Sequence, residues 1–373
     1  WVNADGSLSD NDVITTGVEH KLGQHGSCTA ALSFGENGNC RGWLLGNNPL
    51  DNEGRGEGMA QMFQMMNLAR METGHMAHCC VANAFYNVRD YARDRIQGRP
   101  FTNPRGERIA IINHEDIRRT LIMGKAHTEA FRAMIMKAMF FFDVREHDPD
   151  PQEREKAQQY LDVITPLCKA YPSDEGWWLC GEAIQAYGGY GYCEEYPVAQ
   201  IARDIKIYSI WEGTNFIQSM DLIGRKMGMG RGAVFAAFLS EARNFTTENR
   251  YTTGLEKEFR NLDRALVSAD KMLTCLVDFR NNNPTMIPVF GRRVLTAISQ
   301  LHCSHILLDM ACVALRRIKE TGTEHHDYNF YVGKIEAAKW YLRNVTPSIE
   351  YISHIICDRD TSALDIPLEA FDY

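Results

Sequence analysis

A mainly α-helical chain, with a partial antiparallel β-domain at its start and two successive helical regions after it, follows from three observations. Residues 1 to about 55 are rich in Gly, Asn and Asp and carry short β-branched or alternating apolar pieces. From Gly58 onward apolar residues recur at helical spacing, and a glycine-containing stretch at 224–232 divides the helical part in two. The organisation read from these changes is a β-domain part at 1–56, a helical bundle at 57–229 and an appended helical domain at 230–373. At about 150 residues per domain, 373 residues of which 45% are hydrophobic suffice for two to three domains and a sizeable core.

Taken in order, residues 29–34 and 40–45 flank Gly35-Glu36-Asn37-Gly38, where Asn37-Gly38 can supply the positive φ angles of a tight hairpin. Phe85, Val88, Ala92 and Ile96 recur at three or four before Gly98, which predicts a long buried helix. Asn113, with Asp116 three residues on, predicts the start of a second helix running towards Phe142. Asp150-Pro151-Gln152-Glu153 combines a cap, a first-turn proline and a capping-box acid. The helix it starts is expected to break or kink near Pro166 and Pro172 and to stop at Gly188-Gly189. Pro197 opens a fourth segment through Ile210, and a further helix begins just after Thr214. Periodic segments at 254–280, 290–320 and 328–357 make up the appended region. Four to five long helices in the middle segment imply a bundle, and the absence of a fixed repeat period speaks against a solenoid.

The formal charge, 40 − 48 = −8, argues against a general nucleic-acid or acidic-membrane binder. Even the greasiest stretches, 133–142 and 306–315, contain Lys137 and Asp309, so no membrane span is expected. Eleven cysteines without a C-x-x-C pair read as reduced thiols in a reducing compartment, and the adjacent Cys79-Cys80 are poor disulfide partners. His75, His78 and Cys79, and likewise His302, Cys303 and His305, could ligate zinc on a helix face, but no second pair at finger-like spacing completes either set, so packing is the expected role. The stripe Met59, Met62, Met65, Met66 and Met71 suggests a plastic core or subunit contact.

Chemistry is most concentrated between Gln185 and Gln218. Gly188-Gly189 leave backbone N–H groups open to an anion such as a pyrophosphate, although a helix C-cap explains an isolated Gly-Gly more often. Glu212, between bulky Trp211 and flexible Gly213, has the setting of a carboxylate that leaves a helix end and enters an apolar cleft, where desolvation would raise its pKa towards that of a useful base. A helix-flanking glutamate is more often solvated or capping. Arg203-Asp204 offers an anion site or, more commonly, a structural ion pair.

The run Q-A-Y-G-G-Y-G-Y-C-E-E-Y-P-V-A-Q-I-A-R-D-I-K-I-Y-S-I-W-E-G-T-N-F-I-Q, Gln185 to Gln218, closely resembles the C-terminal signature of the FAD-dependent acyl-CoA dehydrogenases. Upstream, V-E-H-K-L-G from Val18, N-L-A-R from Asn67 and Y-A-R-D-R-I-Q-G from Tyr91 look like that family in the same order. The tail with F-Y-V-G-K-I from Phe330 is similar to the extra helical domain of its larger bacterial members. The resemblance covers nearly the whole chain. It implies Glu212 as the base that removes the α-proton of an acyl-CoA thioester while a hydride passes to the flavin. Some branches place the base just before the arginine of the earlier helix, where this chain has Ala69.

The same resemblance implies FAD contacts from Arg95 and Gln97 on the pyrophosphate side and from Gln185, Gly188 and Gly189 on the adenosine side. Both sets reach across a subunit interface, so a homo-oligomer is implied. Gly213, Thr214 and Asn215 match the loop that also touches FAD. Asn67 and Arg70 match residues near the pantetheine arm, with a plain ion pair as the alternative for Arg70, and Trp211 and Gly213 match positions lining the substrate. An electron-transferring flavoprotein is the implied acceptor, and a bacterial cytoplasm or a mitochondrial matrix the implied setting. Trp211 stands where a tyrosine is usual and Phe216 replaces a small or polar residue, which alters the pocket. Members of the family also carry an N-terminal helical domain and the first half of the β-domain, and the opening Trp1-Val2-Asn3-Ala4-Asp5-Gly6 looks like the inside of that domain. The expectation is therefore an incomplete sequence, a separate polypeptide that supplies the missing half, or a non-catalytic scaffolding subunit built on the same dimer surfaces.

Overall fold

The computed structural model describes residues 1–51 and 53–372, with the side chains of Met59, Ala60, Phe63 and Gln64 outside the description. Two compact units, Trp1–Ala69 and Arg70–Tyr373, divide the chain. In the first, β1 (Val13–Val18) and β2 (Ala30–Phe34) pair antiparallel, Val13 opposite Phe34 and Val18 opposite Ala30. The hairpin expected between 29–34 and 40–45 does not form, because 40–45 is not a strand. The backbone groups it would need are taken by two side chains that precede β1. Asp12 accepts from the N–H of Asn37 at 2.8 Å and of Asn39 at 3.1 Å. Asn11 donates to the Arg41 carbonyl at 2.9 Å and accepts from the Arg41 N–H at 3.1 Å. Gly35 and Gly38, both at φ +75°, still reverse the chain, but they return it to the start of β1.

Helix α1 (Gly58–Asp94) follows the predicted periodicity but ends before Ile96, which lies in an isolated bridge with Ala110. Met71 of the methionine stripe is buried, Met62 and Met65 are exposed, and Met59 falls outside the described side chains. In α2 (Glu115–His147) the N-cap is His114, with extended backbone and no side-chain capping bond. Asn113 instead closes a short 3-10 turn, its N–H donating to Ala110, so the predicted cap is displaced by one residue.

The N-terminus of α3 (Pro151–Tyr187) is as predicted, with Asp150 accepting from the Gln152 N–H at 2.8 Å. Of the two outcomes expected at the prolines, a break is excluded: α3 is one helix through Pro166 and Pro172. Proline removes one i to i−4 bond, and the surroundings accommodate the freed carbonyl. For Pro172 that carbonyl is Cys168 O. Gly74 of α1 lies directly against it, so closely that a Cβ on Gly74 would sit 2.0 Å from the oxygen. Absence of a side chain at 74 therefore permits the close approach of α1 and α3.

The chain continues through α4 (Pro197–Ile205), α5 (Asn215–Gly224), α6 (Ala233–Asn249), α7 (Glu256–Asn282) and α8 (Met286–Thr321). The segment expected as one helix at 328–357 is two, α9 (Tyr328–Asn344) and α10 (Ser348–Asp358). The N–H groups of Val345 and Thr346 both bond to Tyr341 O, which closes α9, and Pro347 has no donor with which to continue. By length and composition α8 could cross a membrane, but 78% of its most apolar window is buried in the fold, the setting of a core helix. Helices α2, α3, α8 and α9 pack together. Between them Tyr171 and Tyr341 share a hydroxyl hydrogen bond of 2.7 Å, and Phe131 meets the Tyr171 ring edge-on at 5.4 Å.

Candidate active site

After α4 a short 3-10 turn, Lys206–Ser209, leads into the loop that carries Glu212, and α5 begins three residues later. Thr214 caps α5, its Oγ1 accepting from the Ile217 N–H at 3.3 Å. Glu212 (φ +55°) and Gly213 (φ +85°) are consecutive left-handed residues. At 213 only glycine fits, since a Cβ would come within 2.9 Å of Gln218 Nε2. At 212 an L-residue bears a strain of roughly 1–2 kcal/mol.

Two buried side chains hold that conformation by its carbonyls. Gln218 Nε2 donates to Glu212 O at 3.3 Å and to Gly213 O at 3.1 Å, and Arg70 Nε donates to Glu212 O at 3.3 Å. Arg70 is itself fixed by Asp221 at 3.7 Å. It is thus both the ion pair that the sequence left open and a clamp on the glutamate loop. Below α5 lies Lys169, fully buried, with Nζ donating to Asn215 Oδ1 at 2.8 Å. Asn215 Nδ2 in turn donates to Ser173 Oγ at 2.9 Å. Burial pushes the Lys169 ammonium down to about 8, against the pull of Asp174.

Glu212 is half-buried, and Ile210, Trp211, Phe216 and Ile217, its neighbours along the chain, are exposed. A carboxylate presented from a rigid loop amid open apolar residues can accept a proton from a substrate that is itself apolar. Gln218, Lys169 and Asp221 were not singled out from the sequence. Gln218 carried a signal, six residues after Glu212 on the next helix. The lysine had none, because its link to Asn215 exists only once α3 and α5 pack.

A second group of predicted residues gathers where α1 and α3 end. The Arg95 backbone is fixed by its N–H to Tyr91 O and by the Ile111 N–H to its own carbonyl, both at 2.8 Å. Its guanidinium lies over the Tyr190 ring at 5.2 Å, and its buried Nε has no hydrogen-bond partner among the described residues. Gly188 (φ +65°) caps α3 and donates to Gln185 O. A Cβ at Gly188 or Gly189 would meet nothing within 4 Å. Tyr91 and Tyr187 stack at 4.0 Å, joining the two helix ends. The C-cap and the open backbone are therefore the same feature. An arginine with an unused donor beside an unobstructed glycine turn suits a diphosphate, which takes charge-assisted N–H bonds. Gln97 and Gln185 are exposed.

Asn67 lies on α1 in the first unit and is half-buried. Arg203 pairs with Glu194 at 3.2 Å rather than with Asp204. The two histidine clusters are held by packing: His302 contacts the Tyr160 hydroxyl at 3.1 Å, the Phe245 ring lies tilted against His305 at 4.9 Å, and Arg132 reaches His78 at 3.4 Å.

The fold and site define a helical-bundle protein that presents a clamped glutamate on one loop and an arginine beside an open glycine turn on another. Residues 56–228 match the domain described as "Acyl-CoA dehydrogenase, C-terminal domain", and residues 236–367 match "Acetyl-CoA dehydrogenase C-terminal like". The chain belongs to the acyl-CoA dehydrogenase family. It is 43% identical over 371 residues to a butyryl-CoA dehydrogenase of Syntrophomonas wolfei, covering 99% of this chain and 60% of that protein. It is 30% identical to a broad-specificity linear acyl-CoA dehydrogenase of Mycobacterium tuberculosis, covering 97% of this chain and again 60% of the relative. The chain thus spans 60% of the length of these curated relatives. Two solved structures share its fold. Caenorhabditis elegans ACDH-11, in complex with C11-CoA, has a TM-score of 0.72 at 19% identity over 97% of this chain and 56% of that one. An acyl-CoA dehydrogenase of Bacillus anthracis complexed with FAD has a TM-score of 0.69 at 20% identity over 96% and 58%.

Proposed function

We propose that this protein is an FAD-dependent acyl-CoA dehydrogenase that converts an acyl-CoA to its trans-2-enoyl thioester, with Glu212 as the α-proton base. The observation that carries this reading is the Glu212 loop: a glutamate in left-handed backbone, clamped through its carbonyl by Arg70 and Gln218 and flanked along the chain by exposed apolar residues. The α-proton of a thioester is weakly acidic, so its acceptor must be fixed in place before the proton moves. The clamp does this through the main-chain carbonyls of Glu212 and Gly213. FAD, when bound, accepts the hydride that leaves the β-carbon.

Arg95, Gly188 and Gly189 are the residues that would hold the diphosphate of FAD, with Gln97 and Gln185 beside them and Gly213, Thr214 and Asn215 at the base loop. Arg70 acts as a positioning residue rather than a pantetheine contact, Trp211 lines the acyl site, and Asn67 is assigned to the pantetheine side by family resemblance. A straight short-chain acyl-CoA is the proposed substrate, since the relative at 43% identity bears the name butyryl-CoA dehydrogenase. The assembly is a homo-oligomer that binds flavin across its subunit interface, and an electron-transferring flavoprotein accepts the electrons.

The test is Glu212→Gln in the flavin-loaded protein, assayed with butyryl-CoA and an artificial electron acceptor. The amide keeps the shape but cannot take the proton, so turnover should vanish while flavin absorbance remains. Turnover comparable to the parent protein would remove Glu212 from the base role. A parent protein that stays colourless after incubation with FAD would favour the scaffolding subunit.

A further inference from the structure

Cys275 on α7 and Cys357 on α10 are 82 positions apart in the chain, yet their sulfurs lie 2.6 Å apart. The pair belongs to a ladder of contacts between two helices that run in the same direction. Arg264 pairs with Glu350 at 3.0 Å, the Ser353 hydroxyl donates to Ser268 O at 2.9 Å, and Arg359 pairs with Asp278 at 2.7 Å. These contacts bracket the cysteines on both sides, so the approach of the sulfurs follows from the register of the helices and not from one side-chain rotamer. The separation is within about 0.6 Å of a disulfide bond length of about 2.05 Å. Both residues are half-buried, unlike Cys168, Cys180 and Cys303, which are sealed in the core.

We propose that Cys275 and Cys357 form a reversible disulfide, a covalent modification site that ties α10 to α7, with a low-molecular-weight disulfide as oxidant. One cysteine thiolate attacks a sulfur of the oxidant and expels one small thiolate, leaving a mixed disulfide on the protein. The second cysteine, deprotonated, attacks the protein sulfur of that mixed disulfide and expels the second small thiolate. Two protein thiols are oxidised, one S–S bond of the oxidant is broken, one forms in the protein, and the two released thiolates take up the two protons. Burial and the neighbouring Cys357 push the Cys275 thiol up to about 11, so the exchange should speed up as the pH is raised.

The closed loop contains α8 and α9. Helix α8 backs α5 closely, since a Cβ on Gly291 would fall 2.9 Å from Ser219 Oγ. Oxidation thus restrains, in the unfolded chain, the segment that supports the helix next to the Glu212 loop, and the folded form gains stability.

The experiment equilibrates the full chain with mixtures of oxidised and reduced glutathione, quenches by alkylation and maps peptides without reduction. The expected product has lost two hydrogens, carries one cross-linked peptide joining Cys275 to Cys357, migrates faster on a non-reducing gel, melts at higher temperature and reverts with dithiothreitol. Cys275→Ser and Cys357→Ser should each abolish the cross-link and the rise in melting temperature, while folding as the reduced parent does. The proposal is overturned if both thiols remain alkylatable under conditions that glutathionylate the exposed Cys193, or if they end as separate mixed disulfides. These readouts need neither flavin nor turnover, so they stand apart from the dehydrogenase reading.

Discussion

Gly74→Ala tests the packing argument most directly. A Cβ added at Gly74 would lie 2.0 Å from Cys168 O and 2.7 Å from Cys168 C, both backbone atoms of α3, so no rotamer change relieves the clash. The helices must separate by more than an ångström, at the residue before Lys169 and one turn from Arg70. Overpacking of this kind costs about 1–3 kcal/mol or more, and replacing glycine in a helix interior returns only about 0.5–1 kcal/mol. The expected net loss is about 2 kcal/mol. Gly181, on the same α3, is exposed, and a Cβ there meets nothing within 4 Å. There the identical substitution should stabilise by about 0.5–1 kcal/mol. Urea denaturation followed by helical circular dichroism separates the two: the midpoint should fall for Gly74→Ala and rise for Gly181→Ala, with similar slopes. A Gly74→Ala midpoint at or above that of the parent would refute the account of how α1 meets α3 across the carbonyl that Pro172 frees.

Gln218→Leu removes two hydrogen bonds worth about 1 kcal/mol each from a loop strained by a similar amount. It should lower kcat about tenfold or more with little change in flavin content, and an unchanged kcat would show that the clamp is dispensable. Arg95→Ala should release FAD on dialysis if Arg95 makes the proposed charge-assisted diphosphate contact; undiminished flavin retention contradicts that assignment. Four buried histidines set the acid limb of stability: burial holds His78, His127 and His305 down to about 4 and His302 well below its usual value. Between pH 6.5 and 4 the unfolded chain binds protons that the folded histidines refuse, so stability should drop as pH falls through that window. Glu175, raised to about 7 by burial, acts in the opposite sense and offsets part of the loss. A flat unfolding midpoint between pH 6.5 and 5 would contradict this. For Lys169, held near 8, the unfolded chain keeps its proton up to about 10.5. This group by itself favours the fold as pH rises above 8, whereas the buried thiols of Cys80, Cys168, Cys180 and Cys303, raised by burial from 9.0, oppose it above about pH 9. Between pH 8 and 9 the urea midpoint should therefore rise in the parent and rise less in Lys169→Met.

Periodicity, caps and glycine punctuation are local properties, and the sequence determined by itself what depends on them: the helical character from Gly58 onward, the Asp150 and Thr214 caps, the Gly188 stop and the motif that carries Glu212. The strand partner of β2 was not legible, because Asp12 and Asn11 compete for the backbone at 37–41 from 25 to 30 residues away. Nor was the continuity of α3, since whether proline breaks a helix depends on what packs around it, and here Gly74 of another helix lies against the carbonyl that Pro172 frees. The motif that singles out Glu212 as the proposed base lies in its neighbours along the chain. What holds Glu212 does not: Arg70 and Glu212 are 142 positions apart, and their hydrogen bond exists only because α1 and α5 meet. The same holds for Lys169 under Asn215 and for the sulfurs of Cys275 and Cys357. Short-range steric and hydrogen-bonding preferences are written in neighbouring residues, whereas contacts between distant segments are decided by which faces the packed helices bury together.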